Sequence, residues 1–204
     1  MADTSRGVPR ATPDWLRAAS TAGIAVRGAL ASEIIPGALW LGRGQFALET
    51  ELMARVNISH VLTVASDTPE VRAAMNKRIR EGTLRGYLCV EIDDFGADDG
   101  ISRVFEETFA FIDSAFREGG VVFVHCANGS NRSPTLVIAY LKYCNPGWTM
   151  IQVLEHILLR RPHIMPLKDN LAQLTQWSGE ELDYETFQSM KKATLKLWKR
   201  VNQL

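Results

Sequence analysis

The stretch that most constrains this chain is Val121-Val122-Phe123-Val124-His125-Cys126-Ala127-Asn128-Gly129-Ser130-Asn131-Arg132-Ser133-Pro134. Four apolar, mostly β-branched residues after Gly119-Gly120 predict a short buried strand. Pro134-Thr135-Leu136-Val137-Ile138-Ala139-Tyr140-Leu141 predicts a helix with proline at its first position, where a missing N–H costs nothing. Residues 126–132 then lie on a helix N-terminus, whose unpaired N–H groups and dipole favour an anion. Successive loop amides can form a concave nest around phosphate oxygens. Gly129 permits a tight turn, and Arg132 adds a planar fork suited to bidentate phosphate contact. Cys126, on the floor of this cup, is expected as the nucleophilic thiolate. The plain alternative is a small buried hydrophobe in an ordinary strand-to-helix turn. The coincident Gly129 and Arg132 argue against it.

His125-Cys126-x-x-Gly129-x-x-Arg132-Ser133 resembles the signature loop of the cysteine-dependent protein phosphatases, and the continuation from Arg132 to Leu141 is similar to their dual-specificity branch. The resemblance implies an α/β fold with a central, mostly parallel twisted sheet flanked by helices. It implies hydrolysis of phosphotyrosine and phosphoserine or phosphothreonine through a phosphocysteine on Cys126. Arg132 and the loop backbone of Ala127, Asn128, Gly129, Ser130 and Asn131 would hold the phosphate. Ser133 would stabilise the departing thiolate, although a helix N-cap is its simpler role. His125 would shape the surroundings of the thiol. The family's general acid follows the strand before the helix carrying Phe111-Ile112-Asp113, a position that Val90-Glu91-Ile92-Asp93-Asp94 matches best with Asp94. Asp93 is a rival and Asp98 and Asp99 are further candidates; any of them could instead cap the next helix. The implied partner is a phosphorylated protein, and no metal or other cofactor is required.

Two other functions stay open at this point. One is a phosphoprotein-binding scaffold that holds phosphate without cleaving it. The other is an RNA 5′-phosphatase, since Gly129-Ser130-Asn131-Arg132 resembles the Gly-x-Asn-Arg of that branch. Ala127, Asn128, Ser130 and Asn131 include no lysine, which disfavours multiply phosphorylated inositol headgroups.

A chain of 204 residues suits one domain with a substantial core. With 23 basic and 23 acidic residues, no global field recruits nucleic acid or membrane. Three cysteines without framework spacing suit a reducing compartment. Met1-Ala2-Asp3-Thr4 begins neither a signal core nor a myristoylation site, and no apolar run approaches a membrane span. The expectation is a cytoplasmic or nuclear protein.

Three regions are expected. Residues 1–33, rich in small residues and arginine, form an extension with one short helix around Asp14 to Ala19. Residues 34–178 form the catalytic domain. Residues 179–204 carry an amphipathic helix over 180–201, whose Lys191, Lys192, Lys196, Lys199 and Arg200 could contact an acidic partner but fit a solvated face better. Within the domain the spacing predicts a turn and a strand over 35–42, strands at 60–65 and 86–92, and helices at 47–55 and 70–81. Arg72, Lys77, Arg78 and Arg80 fall on the outer face of the second of these helices. Two further helices are predicted, one with Ile101, Val104, Phe105, Phe109, Ile112 and Phe116 inward, and one opening at Trp148-Thr149 and stopped by Arg161-Pro162. Leu167-Lys168-Asp169-Asn170 stands where the family has Asn-x-Gly-Phe.

Overall fold

The computed structural model describes residues 30–66, 68–94 and 100–202, together with a short strand at Ala25–Val26, β1. The helix expected around Asp14, and Asp98 and Asp99, lie outside the described residues.

Five further strands complete one sheet: β2 Ala31–Ile35, β3 Leu39–Arg43, β4 His60–Val64, β5 Gly86–Val90 and β6 Val122–Cys126. Their order is β1-β2-β3-β6-β4-β5. From β3 to β5 the sheet is parallel, whereas β1, β2 and β3 run antiparallel and form one edge. Gly37, at φ +67°, turns β2 into β3, and its N–H donates to Glu33 Oε1 at 2.7 Å. The boundary expected between residues 33 and 34 therefore falls inside β2. The first part of that strand, Ala31-Ser32-Glu33, is too short for a readable alternation in the sequence.

Strand β6 lies at the centre, with β3 on one side and β4 on the other. All five of its residues are buried, as suits a parallel strand covered on both faces. Its side chains alternate between two cores. Val122 and Val124 join Leu41, Leu62, Leu136 and Ile157 on one face. Phe123 joins Trp40, Phe46, Met53 and Val61 on the other, and the Phe46 and Phe123 rings meet edge to face at 4.9 Å.

Two short helices, α1 Gly44–Leu48 and α2 Thr50–Arg55, replace the single helix expected at 47–55, because the chain leaves helical geometry at Glu49. Helix α3, Pro69–Arg80, begins at Thr68, whose hydroxyl accepts from the Val71 N–H. Arg78, expected in solvent, is buried instead. Its Nη1 donates to the Ala47 carbonyl at 3.1 Å and lies 3.0 Å from Met53 Sδ. The carbonyls at the end of so short a helix as α1 have no intrahelical donor, and Arg78 satisfies one of them.

A 3₁₀ turn at Ile101–Val104 leads into α4, Phe105–Arg117. Helix α5 spans Arg132–Cys144 and α6 spans Met150–Arg160, the latter opened by a reciprocal cap between Thr149 and Gln152. Proline 134 is thus the third residue of α5 and not the first. Its missing N–H still falls within the opening turn, where no intrahelical acceptor is available. Helix α7, Lys168–Ser178, occupies the segment for which the sequence suggested no element, and ends at Gly179 with φ +70°.

The last helix, α8 Tyr184–Asn202, starts later than residue 180, after Asp183 caps the Thr186 N–H at 2.7 Å. Leu182 and Phe187 are buried in the main core. Lys191, expected on a solvated face, is also buried. Among the described residues no helix is long and apolar enough to cross a membrane.

Candidate active site

Cys126 is the last residue of β6, in register with Arg43 at the end of β3. The loop 127–131 leaves the carboxyl edge of the sheet there, where ligand sites of open α/β sheets form. Three contacts hold the loop's outer face. The Gly44 N–H donates to the Ala127 carbonyl at 3.2 Å, Arg161 Nε donates to the Gly129 carbonyl at 3.1 Å, and the Met165 N–H donates to the Ser130 carbonyl. Gly129 has φ +61°, and a Cβ there would lie 2.2 Å from the Gly42 carbonyl oxygen. Both the backbone angle and the close approach require glycine.

Asn131 occupies the position before α5, and its carbonyl accepts from the N–H and hydroxyl of Thr135 at 3.1 and 2.8 Å. Because the helix starts at Arg132, Ser133 is not its cap. The Ser133 hydroxyl points back and donates to Cys126 Sγ at 3.2 Å. His125 Nε2 bonds Thr63 Oγ1 on β4 at 2.9 Å, and its ring stacks on Phe123. Among the described residues no disulfide links Cys89, Cys126 and Cys144.

Arg132 is 8% exposed. Its Nη1 donates to the Ile92 carbonyl at 2.9 Å, and its Nε forms an ion pair with Asp94 Oδ1 at 3.0 Å. The same Asp94 oxygen accepts from Asn131 Nδ2 at 2.8 Å. The other end of the Asn131 amide accepts from the Leu167 N–H at 2.9 Å and from Asn170 Nδ2 at 2.8 Å. One side chain therefore ties Asp94, the phosphate-type loop and the start of α7 together. Of the two aspartates weighed for the acid, the Asp94 carboxylate lies against this loop, while the Asp93 side chain is exposed.

Reasoning from sequence missed Arg161 and Asn170. Arg161 is buried, reaching from the loop to Ser32 Oγ at 3.3 Å. Burial pushes its guanidinium down to about 10, Arg43 adds to that, and Cys126 opposes it, so Arg161 stays charged at neutral pH. The sequence marked Arg161 only as part of a helix stop. Asn170 carried a signal in its departure from the family's Asn-x-Gly-Phe, a departure that leaves the polar link to be made by Asn131 and Asn170 across the turn. Thr63 read simply as a strand residue.

A sulfur under a hydroxyl donor, a buried guanidinium and a carboxylate thus gather around one loop. Residues 39–180 match the family model described as the dual specificity phosphatase catalytic domain, so the chain belongs to the dual-specificity phosphatase family. Dual specificity protein phosphatase 1 of Arabidopsis thaliana is 35% identical over 141 residues, which cover 69% of this chain and 66% of that protein. Human dual specificity protein phosphatase 5 is 33% identical over 150 residues, covering 74% of this chain and 36% of that one. The chain thus spans from about a third to about two thirds of the length of these relatives. The crystal structure of a mouse dual specificity phosphatase with zinc tungstate superposes with a TM-score of 0.62 at 26% identity, covering 78% of this chain and 93% of that one.

Proposed function

We propose that this chain hydrolyses phosphotyrosine and phosphoserine or phosphothreonine in proteins through a phosphocysteine intermediate. The observation that carries the reading is the convergence of Cys126 Sγ, the Ser133 hydroxyl, the Arg132 guanidinium and the Asp94 carboxylate on one loop.

In the first step the Cys126 thiolate attacks phosphorus in line and the P–O bond to the substrate breaks. Arg132 and the amides of residues 127–131 take up charge on the equatorial oxygens. Protonated Asp94 gives its proton to the leaving oxygen. In the second step Asp94, now the carboxylate, takes a proton from water as that water attacks phosphorus, and the P–S bond breaks. Ser133 donates to the departing thiolate and inorganic phosphate leaves. Binding, charge neutralisation and proton transfer all fall to side chains and amides of this chain.

Cys126→Ser is expected to abolish turnover of a phosphotyrosine peptide while retaining its binding. Asp94→Ala should lower kcat by about 10²–10⁴-fold. Undiminished hydrolysis by the Cys126→Ser protein would end the reading. The intact nucleophile weighs against a non-catalytic scaffold. The Asn131 side chain behind the RNA 5′-phosphatase alternative is engaged by Asp94, Leu167 and Asn170, which weighs against that reading. A reducing compartment, cytoplasm or nucleus, suits three cysteines that form no disulfide.

A further inference from the structure

Beside the loop, the turn between α6 and α7 and one face of α8 enclose a groove of about 700 Å³. Met165 and Leu195 supply its apolar surface, and Lys191, Lys192, Lys196 and Lys199 supply its charge, with no carboxylate in the lining. The whole chain is electrically balanced, so this is a local separation of charge. Lys191 is 9% exposed, yet among the described residues its ammonium has no carboxylate partner. It points to Met165 Sδ at 3.3 Å, a weak acceptor. This ammonium lines the groove without a counter-ion, so an arriving anion can pair with it.

Met165 joins the groove to the catalytic loop. Its N–H donates to the Ser130 carbonyl, and its sulfur accepts from Gln188 as well as Lys191. A buried arginine and an exposed histidine lie between the two places. Arg161 reaches from Gly129, and His163, whose ring meets Trp198 at 6.0 Å, follows it in the turn. Partial burial lowers the affinity of His163 for a proton, and Arg161, Lys191, Arg43 and Lys199 lower it further.

We propose that this groove binds an acidic segment of the phosphoprotein substrate, carboxylates or a second phosphate, while the phosphoresidue to be cleaved sits over Cys126. The proposal rests on the phosphatase reading for its substrate class. Charge complementarity selects the occupant, and the apolar floor favours a peptide over a free ion.

Two phosphotyrosine peptides that differ only in a flanking run of Glu or Gln test the inference, with p-nitrophenyl phosphate as a substrate too small to reach the groove. The acidic peptide should have a KM about tenfold lower than the neutral one, as a few exposed charge contacts provide. Lys192→Gln/Lys196→Gln, both at exposed positions, should remove most of that preference and leave p-nitrophenyl phosphate turnover unchanged. Lys191→Met should do the same. Equal KM values for the two peptides, or an equal loss on both in the lysine variant, would overturn the proposal. So would tight binding to phosphatidylserine vesicles or to a single-stranded RNA without any preference for the acidic peptide. Peptide binding to the Cys126→Ser protein separates the two readings. If p-nitrophenyl phosphate is not hydrolysed the catalytic assignment fails, whereas the binding preference stands or falls by itself.

Discussion

Asn131 is the residue on which the site turns, because its amide faces three segments at once. If it positions Asp94, Asn131→Ala should matter most when the leaving group needs a proton. We expect about a tenfold fall in kcat on phenyl phosphate and little change on p-nitrophenyl phosphate, whose leaving group departs without help. Equal losses on both would show a general disturbance of the loop instead. Gly129→Ala should be worse, since the backbone of β3 cannot yield to a Cβ placed 2.2 Å from the Gly42 carbonyl. Loss of activity together with a lower unfolding midpoint in urea is the expected result, and a variant of native stability and rate would contradict the steric account.

At the scale of elements, α6 is fastened to β2 by His156, whose Nε2 bonds the Ile34 carbonyl at 3.0 Å. Burial, helped by Arg160 and opposed by the Ile34 carbonyl, pushes this imidazole from 6.5 down to about 4. The folded protein thus resists a proton that the unfolded chain accepts. Stability from this group is full above 6.5, falls as the pH drops from 6.5 towards 4, and levels off below. The whole change is at most about 3 kcal/mol. His156→Gln keeps a donor for Ile34 but does not titrate, so its urea stability should depend less on pH across that window; identical slopes would refute the assignment. The elements with strong apolar runs or periods were legible in the sequence: β4, β6, α4, α5 and α6. The breaks between α1 and α2 and the start of β2 were not, because each depends on a turn a few residues long. Helix α7 was not legible because it buries only Leu171 and Leu174, too thin an apolar stripe for a period to show. At the site, Cys126 and the loop could be read from one contiguous motif. The Asn131–Asn170 and Arg161–Gly129 contacts join positions far apart in the chain and needed coordinates.

For the molecule as a whole, the match to the family ends at residue 180, but the core does not. Phe187 is fully buried among residues of the main cluster, so α8 is part of the folding unit rather than an appendage. Phe187→Ala should cost about 3–5 kcal/mol of stability by chemical denaturation. A change below about 1 kcal/mol would mean that α8 rests on the surface. Arg78 argues the same way on the other face, since its charge is turned inward to close the end of α1.

The ion pair between Arg132 and Asp94 has one more consequence. If Arg132 is the group that holds the phosphate, as proposed, the Asp94 carboxylate facing its guanidinium is an internal rival that an oxyanion has to displace before it can dock. Asp94→Asn should therefore bind vanadate or inorganic phosphate more tightly than the unaltered protein even as it loses turnover, and weaker binding would show that the rivalry has no force.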